Sequence, residues 1–140
     1  MDTLSHGLWG GLLVGRMSRK DFWAAFAFGM APDIFSFFFF TGMTVLGLVS
    51  GLDWSAGPPD PRAIPNYVHT LYDITHSLVV FGLVFLGVWA YRKKPYLPMV
   101  AWPLHILLDI PTHTTAFFPT PFLWPLGNFR VDGVSWSTPW

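Results

Sequence analysis

The sequence predicts an all-α protein, a polytopic transmembrane bundle of about four helices, some of them broken or short. Hydrophobic residues make up 52% of the 140 residues and charged residues only 11%, whereas a soluble domain is about 25% charged. The apolar residues also gather into four stretches, separated by basic or proline-rich segments. We therefore expect one integral membrane domain over residues 1–140, with residues 119–140 as an aromatic, proline-rich interfacial tail.

The first apolar stretch, about residues 3–15, is shorter than the roughly 20 residues that a straight helix needs to cross the hydrocarbon core. Gly7, Gly11 and Gly15 recur at every fourth position, which favours the close approach of a second helix. The alternative is simple abundance, because the chain has 13 glycines. The basic residues follow this stretch instead of preceding it, so we expect a retained segment and not a signal peptide.

The second stretch covers about residues 22–50, and Pro32 within it predicts a kink or break. Residues 50–66 are rich in proline and glycine and read as an exposed loop. The third stretch covers about residues 69–91, and the fourth about 96–118. Three prolines in or near the fourth stretch argue against a straight helix there, and Pro111 is expected to turn His113 away from the preceding helical face.

Basic residues fix the predicted orientation. They lie at two turns, after the first stretch and after the third: Arg16, Arg19, Lys20, Arg92, Lys93 and Lys94. The positive-inside rule places both turns in the cytoplasm. Both termini and the 50–68 loop are then extracytoplasmic.

The residues most typical of a functional site are His105, Asp109 and His113, which recur at four-residue intervals in apolar sequence. On a helix this spacing places side chains on one face. Ionisable groups in membrane-type sequence usually face a bundle interior and indicate function. Two other pairs have helical spacing, Asp2 with His6 and Asp73 with His76.

The predicted depths of these residues in the membrane support one shared site. At 1.5 Å per residue from the basic turns, these groups and Asp33 lie roughly 15–29 Å above the cytoplasmic ends of their segments. Imidazole and carboxylate groups at a common depth suit one divalent metal ion, or two ions that share a carboxylate. The chain has no cysteine, which excludes disulfides, thiolate ligands and a cysteine nucleophile. The zero net charge gives no argument for nucleic-acid binding.

Each candidate residue also has an alternative role in which it binds no metal. His6 is alternatively an interfacial residue, and Asp33 alternatively caps a new helix after Pro32. Asp73 and His76 are alternatively solvated near the outer boundary, as we expect for His69. His105 with Asp109 is alternatively a buried pair that only stabilises the bundle.

Several short motifs resemble one known family, the bacterial and archaeal proteins labelled predicted membrane-bound metal-dependent hydrolases. The similar segments are spread over the chain in the order that the family has: Ser5-His6-Gly7, Ala31-Pro32-Asp33-Ile34, Ile74-Thr75-His76-Ser77, His105-Ile-Leu-Leu-Asp109 and Gly133-Val-Ser-Trp136. The resemblance implies metal ligation by five residues, His6, Asp33, His76, His105 and Asp109. The chain departs from the family where Tyr72 and Asp73 replace the usual arginine-containing segment, and where Asp33 lacks a second acid beside it.

Together these features predict a membrane-embedded, metal-dependent hydrolase that cleaves an ester or phosphoester of an amphiphilic substrate in the lipid. We expect one or two divalent ions, zinc first and manganese second. Asp73 is the expected general base, and His113 a proton donor to the leaving group. The expected partners are membrane lipids and the substrate, with a homo-oligomer as an option. Two other functions fit the same residues: a small conduit for metal ions or protons, and a structural membrane subunit with buried polar pairs.

Overall fold

The computed structural model describes residues 2–53, 55 and 59–135, and these residues form an all-helical protein without a strand. The five α-helices are α1 Thr3–Leu13, α2 Arg19–Val45, α3 Asn66–Thr75, α4 Leu78–Arg92 and α5 Ala101–Asp109. Short 3-10 turns cover Pro61–Ala63 and Leu97–Val100. The predicted all-α class is therefore confirmed.

Polar side chains define where three helices begin. Asp2 accepts a hydrogen bond from the Ser5 amide at the start of α1, and Ser18 accepts one from the Asp21 amide at the start of α2. Ser77 does the same for two amides of α4. Each cap satisfies backbone donors that have no partner within the helix.

Close contact between α1 and α2 confirms the packing role predicted for the glycine stripe. A Cβ atom at Gly7 would lie 2.7 Å from Met30 Cγ, and one at Gly15 would lie 2.4 Å from the Cα of Phe22. Glycine on α2 contributes equally, because a Cβ at Gly29 would lie 2.5 Å from the carbonyl oxygen of His6. The two backbones therefore approach to a distance that only glycine permits.

Of the kink or break predicted at Pro32, the break is absent, because α2 continues through it to Val45, and the kink remains a prediction. A proline removes one backbone hydrogen bond and disturbs the preceding turn, and side chains bond to the surrounding carbonyls instead. The carbonyl of Gly29 lies 2.6 Å from Nδ1 of His105, and that of Pro32 accepts a hydrogen bond from Ser36. Asp33 lies inside the helix, so the alternative that it caps a new one is wrong.

The third apolar stretch breaks where no proline predicted it. Helix α3 ends at Thr75, α4 begins at Leu78, and the two are bent by 59°. The break places His76 at the junction, where it is fully buried. The alternative that His76 is solvated is therefore wrong.

The fourth stretch is helical over a shorter range than predicted. Helix α5 ends at Asp109, two residues before Pro111, and a turn carries the chain through His113. Among the described residues, one helix, α2, is long and apolar enough to cross a membrane, and the bent α3–α4 pair makes a second if it is counted as one span. The polytopic arrangement remains a prediction.

The tail, described to residue 135, lies across one end of the helices. Its backbone accepts a hydrogen bond from the Leu78 amide, and its Gly133 amide donates to the carbonyl of His113. Nearby, a small hydrophobic core joins α2, α3 and the segment after α5: Phe40, Ile64, Val68, Tyr72 and Phe118. These contacts hold the α3–α4 junction and its histidine in place.

Candidate metal centre

Three structural elements bring four of the five predicted ligands together. Asp33 comes from α2, His76 from the α3–α4 junction, and His105 and Asp109 from successive turns of α5. The side chains of both histidines and of Asp109 are no more than 1% exposed, whereas that of Asp33 is 18% exposed. Asp33 is therefore the most accessible member of this cluster.

The donor atoms of these four residues face one another. Nε2 of His76 lies 3.0 Å from Nε2 of His105. Asp33 Oδ1 lies 3.5 and 3.6 Å from these two nitrogens. Asp109 Oδ2 lies 3.6 and 3.1 Å from the same nitrogens.

These separations match those around a tetrahedral metal ion. With zinc–nitrogen and zinc–oxygen bonds of about 2.0–2.1 Å, the edge of the coordination tetrahedron is about 3.3–3.4 Å. Five of the six edges run from 3.0 to 3.6 Å, and all four donor atoms lie within 4.8 Å of one another. The cluster of Asp33, His76, His105 and Asp109 could therefore hold a metal ion, with two nitrogen and two oxygen donors.

Hydrogen bonds at the other ring nitrogens orient both histidines. Nδ1 of His105 lies 2.6 Å from the carbonyl oxygen of Gly29, and Nδ1 of His76 lies 3.2 Å from that of Tyr72. A carbonyl only accepts, so Nδ1 of His105 carries the proton. Nδ1 of His76 also lies 3.0 Å from the hydroxyl of Thr75, which donates to the Leu71 carbonyl and can accept from the imidazole. With both protons at Nδ1, the neutral rings present lone pairs at Nε2. Two lone pairs 3.0 Å apart repel unless a proton or a cation lies between them. Backbone carbonyls that hold the far nitrogen are typical of metal-bound histidines.

The fifth predicted ligand, His6, contacts the cluster without joining the set of four. Its Nε2 donates to Asp109 Oδ1 at 2.9 Å, and its ring stacks on that of His105 with centroids 3.7 Å apart. Its Nδ1 is buried without a hydrogen-bond partner in the described structure. His6 therefore holds the carboxylate of Asp109 with Oδ2 turned toward His76 and His105.

The two residues predicted to act in proton transfer lie in different surroundings. His113 is beside the cluster, with Nδ1 3.3 Å from Asp109 Oδ1. Asp73 is partly exposed and lies 3.4 Å from Arg130, and its described contacts do not reach the cluster. Asp2 caps α1 through Ser5 and likewise stays outside.

Sequence reasoning missed Thr3, whose hydroxyl donates to Asp33 Oδ2 at 2.8 Å. It also missed the carbonyls of Gly29 and Tyr72, since no sequence pattern reports which backbone oxygen meets a distant imidazole. The spacing of Thr3 from His6, three residues on one helix, was the one available signal.

Comparison of the chain with protein-family models, with curated proteins and with solved structures finds no match.

Proposed function

We propose that this protein is a membrane-embedded, metal-dependent hydrolase that cleaves an ester or phosphoester of an amphiphilic substrate. The observation that carries the proposal is the buried cluster of two histidines and two aspartates, with donor atoms at tetrahedral separations. This donor set suits zinc first and manganese second. Bound there, the ion would supply a water of lowered pKa and polarise the scissile group.

The distribution of polar and apolar residues supports a lipid environment. The interior holds histidine, aspartate, serine and threonine beside a small set of buried apolar residues, whereas large apolar side chains cover much of the outside. Helix α4 is apolar up to its last turn, which carries Arg92, and has no buried residue, and α2 buries five of its 27 residues. A water-soluble protein rarely exposes apolar patches of this extent, whereas lipid-facing helices require them.

The chain's own residues have distinct tasks in this proposal. His76 and His105 bind through Nε2 while backbone carbonyls hold their Nδ1 atoms. Asp109 binds through Oδ2 while His6 holds Oδ1. In this proposal these three donors would hold the ion and leave one position for water. Asp33, the most exposed of the four cluster residues, orients that water and accepts its proton, with Thr3 fixing its second oxygen.

Packing on the other side of the cluster favours a hydrolase over a conduit. Below His6, the contact between α1 and α2 is made by glycine against apolar side chains and backbone, as at Gly11 with Phe22 and Gly10 with Ala25. An ion that left the cluster toward the basic turns would meet this closely packed apolar interface. A conduit needs polar groups or water along its path.

Elemental analysis of the purified protein tests the metal centre. We expect about one zinc or manganese ion per chain in the wild type and none in His105→Ala. His69→Ala is the matched control, because His69 stacks on Phe118 away from the cluster, and it should keep the metal. A wild-type protein without stoichiometric metal would refute the proposal.

Hydrolysis then separates an enzyme from a structural metal site. Wild-type protein in lipid nanodiscs should cleave p-nitrophenyl octanoate or bis(p-nitrophenyl) phosphate, lose the activity with a chelator and regain it with zinc or manganese. A metal-loaded protein that cleaves neither compound is not a hydrolase of this kind. Asp33→Asn should lower the rate about 10²–10⁴-fold, as loss of a general base does.

The proposed localisation is an inner or cell membrane of a prokaryote, with the termini and the 50–68 loop extracytoplasmic. The chain has no cysteine, so single cysteines report the topology directly. An impermeant thiol reagent added to intact cells should label Ser55→Cys and should not label Met17→Cys. The reverse pattern would invert the orientation.

A further inference from the structure

An apolar groove of about 610 Å³ runs along α2 from the metal-binding cluster toward the end of the helix. Thr3 and Asp33 lie at one end and Leu46 at the other. Between them the lining is almost entirely aliphatic and aromatic, with Phe37, Phe38 and Gly42 among its residues. Its volume falls within the range of about 300–1,000 Å³ that is typical of ligand sites.

The groove exists because α1 is short. Helix α1 begins at Thr3, which is level with Asp33, as the hydrogen bond between their side chains shows. The part of α2 beyond Asp33 therefore has no α1 beside it. Ser36 and Phe40 turn toward α3 and are buried, whereas Phe38 and Gly42 stay exposed.

We infer that this groove binds one linear hydrocarbon chain of the substrate, with the hydrolysable bond beside Asp33. This inference rests on the proposed function and names its substrate class: an ester amphiphile with a long unbranched chain. Asp33 connects the two features, because among the described residues it alone belongs both to the cluster and to the groove lining. A ligand in the groove therefore has its polar end at the donor atoms.

The length of the groove suits one hydrocarbon chain of a lipid. Asp33 and Leu46 are 13 residues apart, which is about 20 Å along a helix. One leaflet of acyl chains fills roughly half of a 30 Å hydrocarbon core, so a lipid chain is about 15 Å long. A second, smaller groove of about 270 Å³ shares Phe37, Thr41 and Val45, but no cluster residue lines it.

Gly42 allows the groove to be blocked without disturbing the fold. A Cβ at Gly42 meets nothing within 4 Å, and the same holds for Gly87 on α4. Gly42→Phe therefore fills the groove about 13 Å from Asp33, and Gly87→Phe adds the same side chain to an exposed helix elsewhere. Equal thermal unfolding of the two variants confirms that both fold.

Photo-crosslinking tests chain binding independently of hydrolysis. In nanodiscs, a palmitic acid with a terminal diazirine should label Val45 and Leu46 at least tenfold more than the exposed residues Leu83 and Leu86 of α4. Gly42→Phe should remove this preference, and Gly87→Phe should keep it. Equal labelling of α2 and α4 in the wild type would overturn the inference.

The chain-length profile then links the groove to the reaction. Metal-loaded wild type should cleave p-nitrophenyl palmitate at least tenfold faster than the butyrate at equal mole fraction in the nanodisc. Gly42→Phe should lose that preference and keep butyrate cleavage, whereas Gly87→Phe should match the wild type. A flat profile in the wild type refutes the groove and leaves the hydrolase intact. Selective labelling without cleavage of any ester refutes the hydrolase and leaves the groove intact.

Discussion

Substitutions of His6 can separate two roles beside a metal ion, that of a ligand and that of a residue that orients a ligand. The resemblance implies that His6 is a metal ligand, whereas the structure places its Nε2 at 2.9 Å from Asp109 Oδ1 and outside the set of four donors. Two substitutions separate these roles. His6→Ala removes the ring, and His6→Gln replaces Nε2 by an amide nitrogen with similar reach that donates a hydrogen bond but binds zinc poorly.

The expected magnitude follows from what His6 touches. Loss of a residue that orients a metal ligand typically weakens metal binding about 10–100-fold, which corresponds to about 1.4–2.8 kcal/mol. We expect a loss of this size in His6→Ala, because Asp109 is then less firmly oriented. In His6→Gln the restored donor should bring the affinity to within about threefold of the wild type. His105→Ala, which removes a donor atom, should abolish stoichiometric binding.

The assay is competition for zinc against a chromophoric chelator, with all variants in the same detergent. Thermal unfolding of the metal-free proteins provides the folding control, since loss of one partner of a buried hydrogen bond costs about 1–3 kcal/mol. His6→Gln is the decisive variant, because it keeps the hydrogen bond and loses the ligand. If it folds as the wild type does but binds zinc as poorly as His105→Ala, His6 is a ligand and the positioning role is wrong.

Two further predictions test the packing and the proton acceptor. Gly29→Ala should lower the free energy of unfolding by about 1–3 kcal/mol, because its Cβ would lie 2.5 Å from the His6 carbonyl oxygen. The matched variant Gly82→Ala, with open space around it, should be neutral or slightly stabilising in the same thermal melts. Equal destabilisation of both variants would contradict the close approach of α1 and α2. Asp73→Asn should lower the rate of ester hydrolysis less than tenfold, because the carboxylate of Asp73 faces Arg130 and not the cluster. A loss of 100-fold or more in kcat, with metal content unchanged, would show that Asp73 is the general base.

Local pattern was sufficient for several features of this protein. The apolar composition predicted an all-helical chain, and the four-residue glycine repeat predicted the close approach of another helix, which the structure identifies as α2. The four-residue spacing of His105 and Asp109 placed both on one face of α5. These features depend on the helical period and on side-chain size, which can be read from sequence.

The arrangement of the candidate metal centre could not be predicted from local sequence patterns, because it depends on contacts between helices. The sequence placed a break at Pro32, but the chain breaks at His76 and so brings this imidazole within 3.0 Å of His105. Near its proline, α2 receives contacts from a hydroxyl and an imidazole group, and the imidazole, that of His105, is 76 positions from the Gly29 carbonyl that it meets. Helical spacing says nothing about such partners, since they meet only when the helices pack.

The same distinction applies to His6 and Asp33. Sequence alone identified both as candidates, because each is a polar group in an apolar stretch. Only the packing of α1 against α2 and α5 decided that His6 meets the carboxylate of Asp109 while Asp33 faces the other two imidazoles. The sequence therefore identified His6 and Asp33 as candidates. The distances between helices decided the role of each, and those distances depend on glycine contacts and long-range hydrogen bonds.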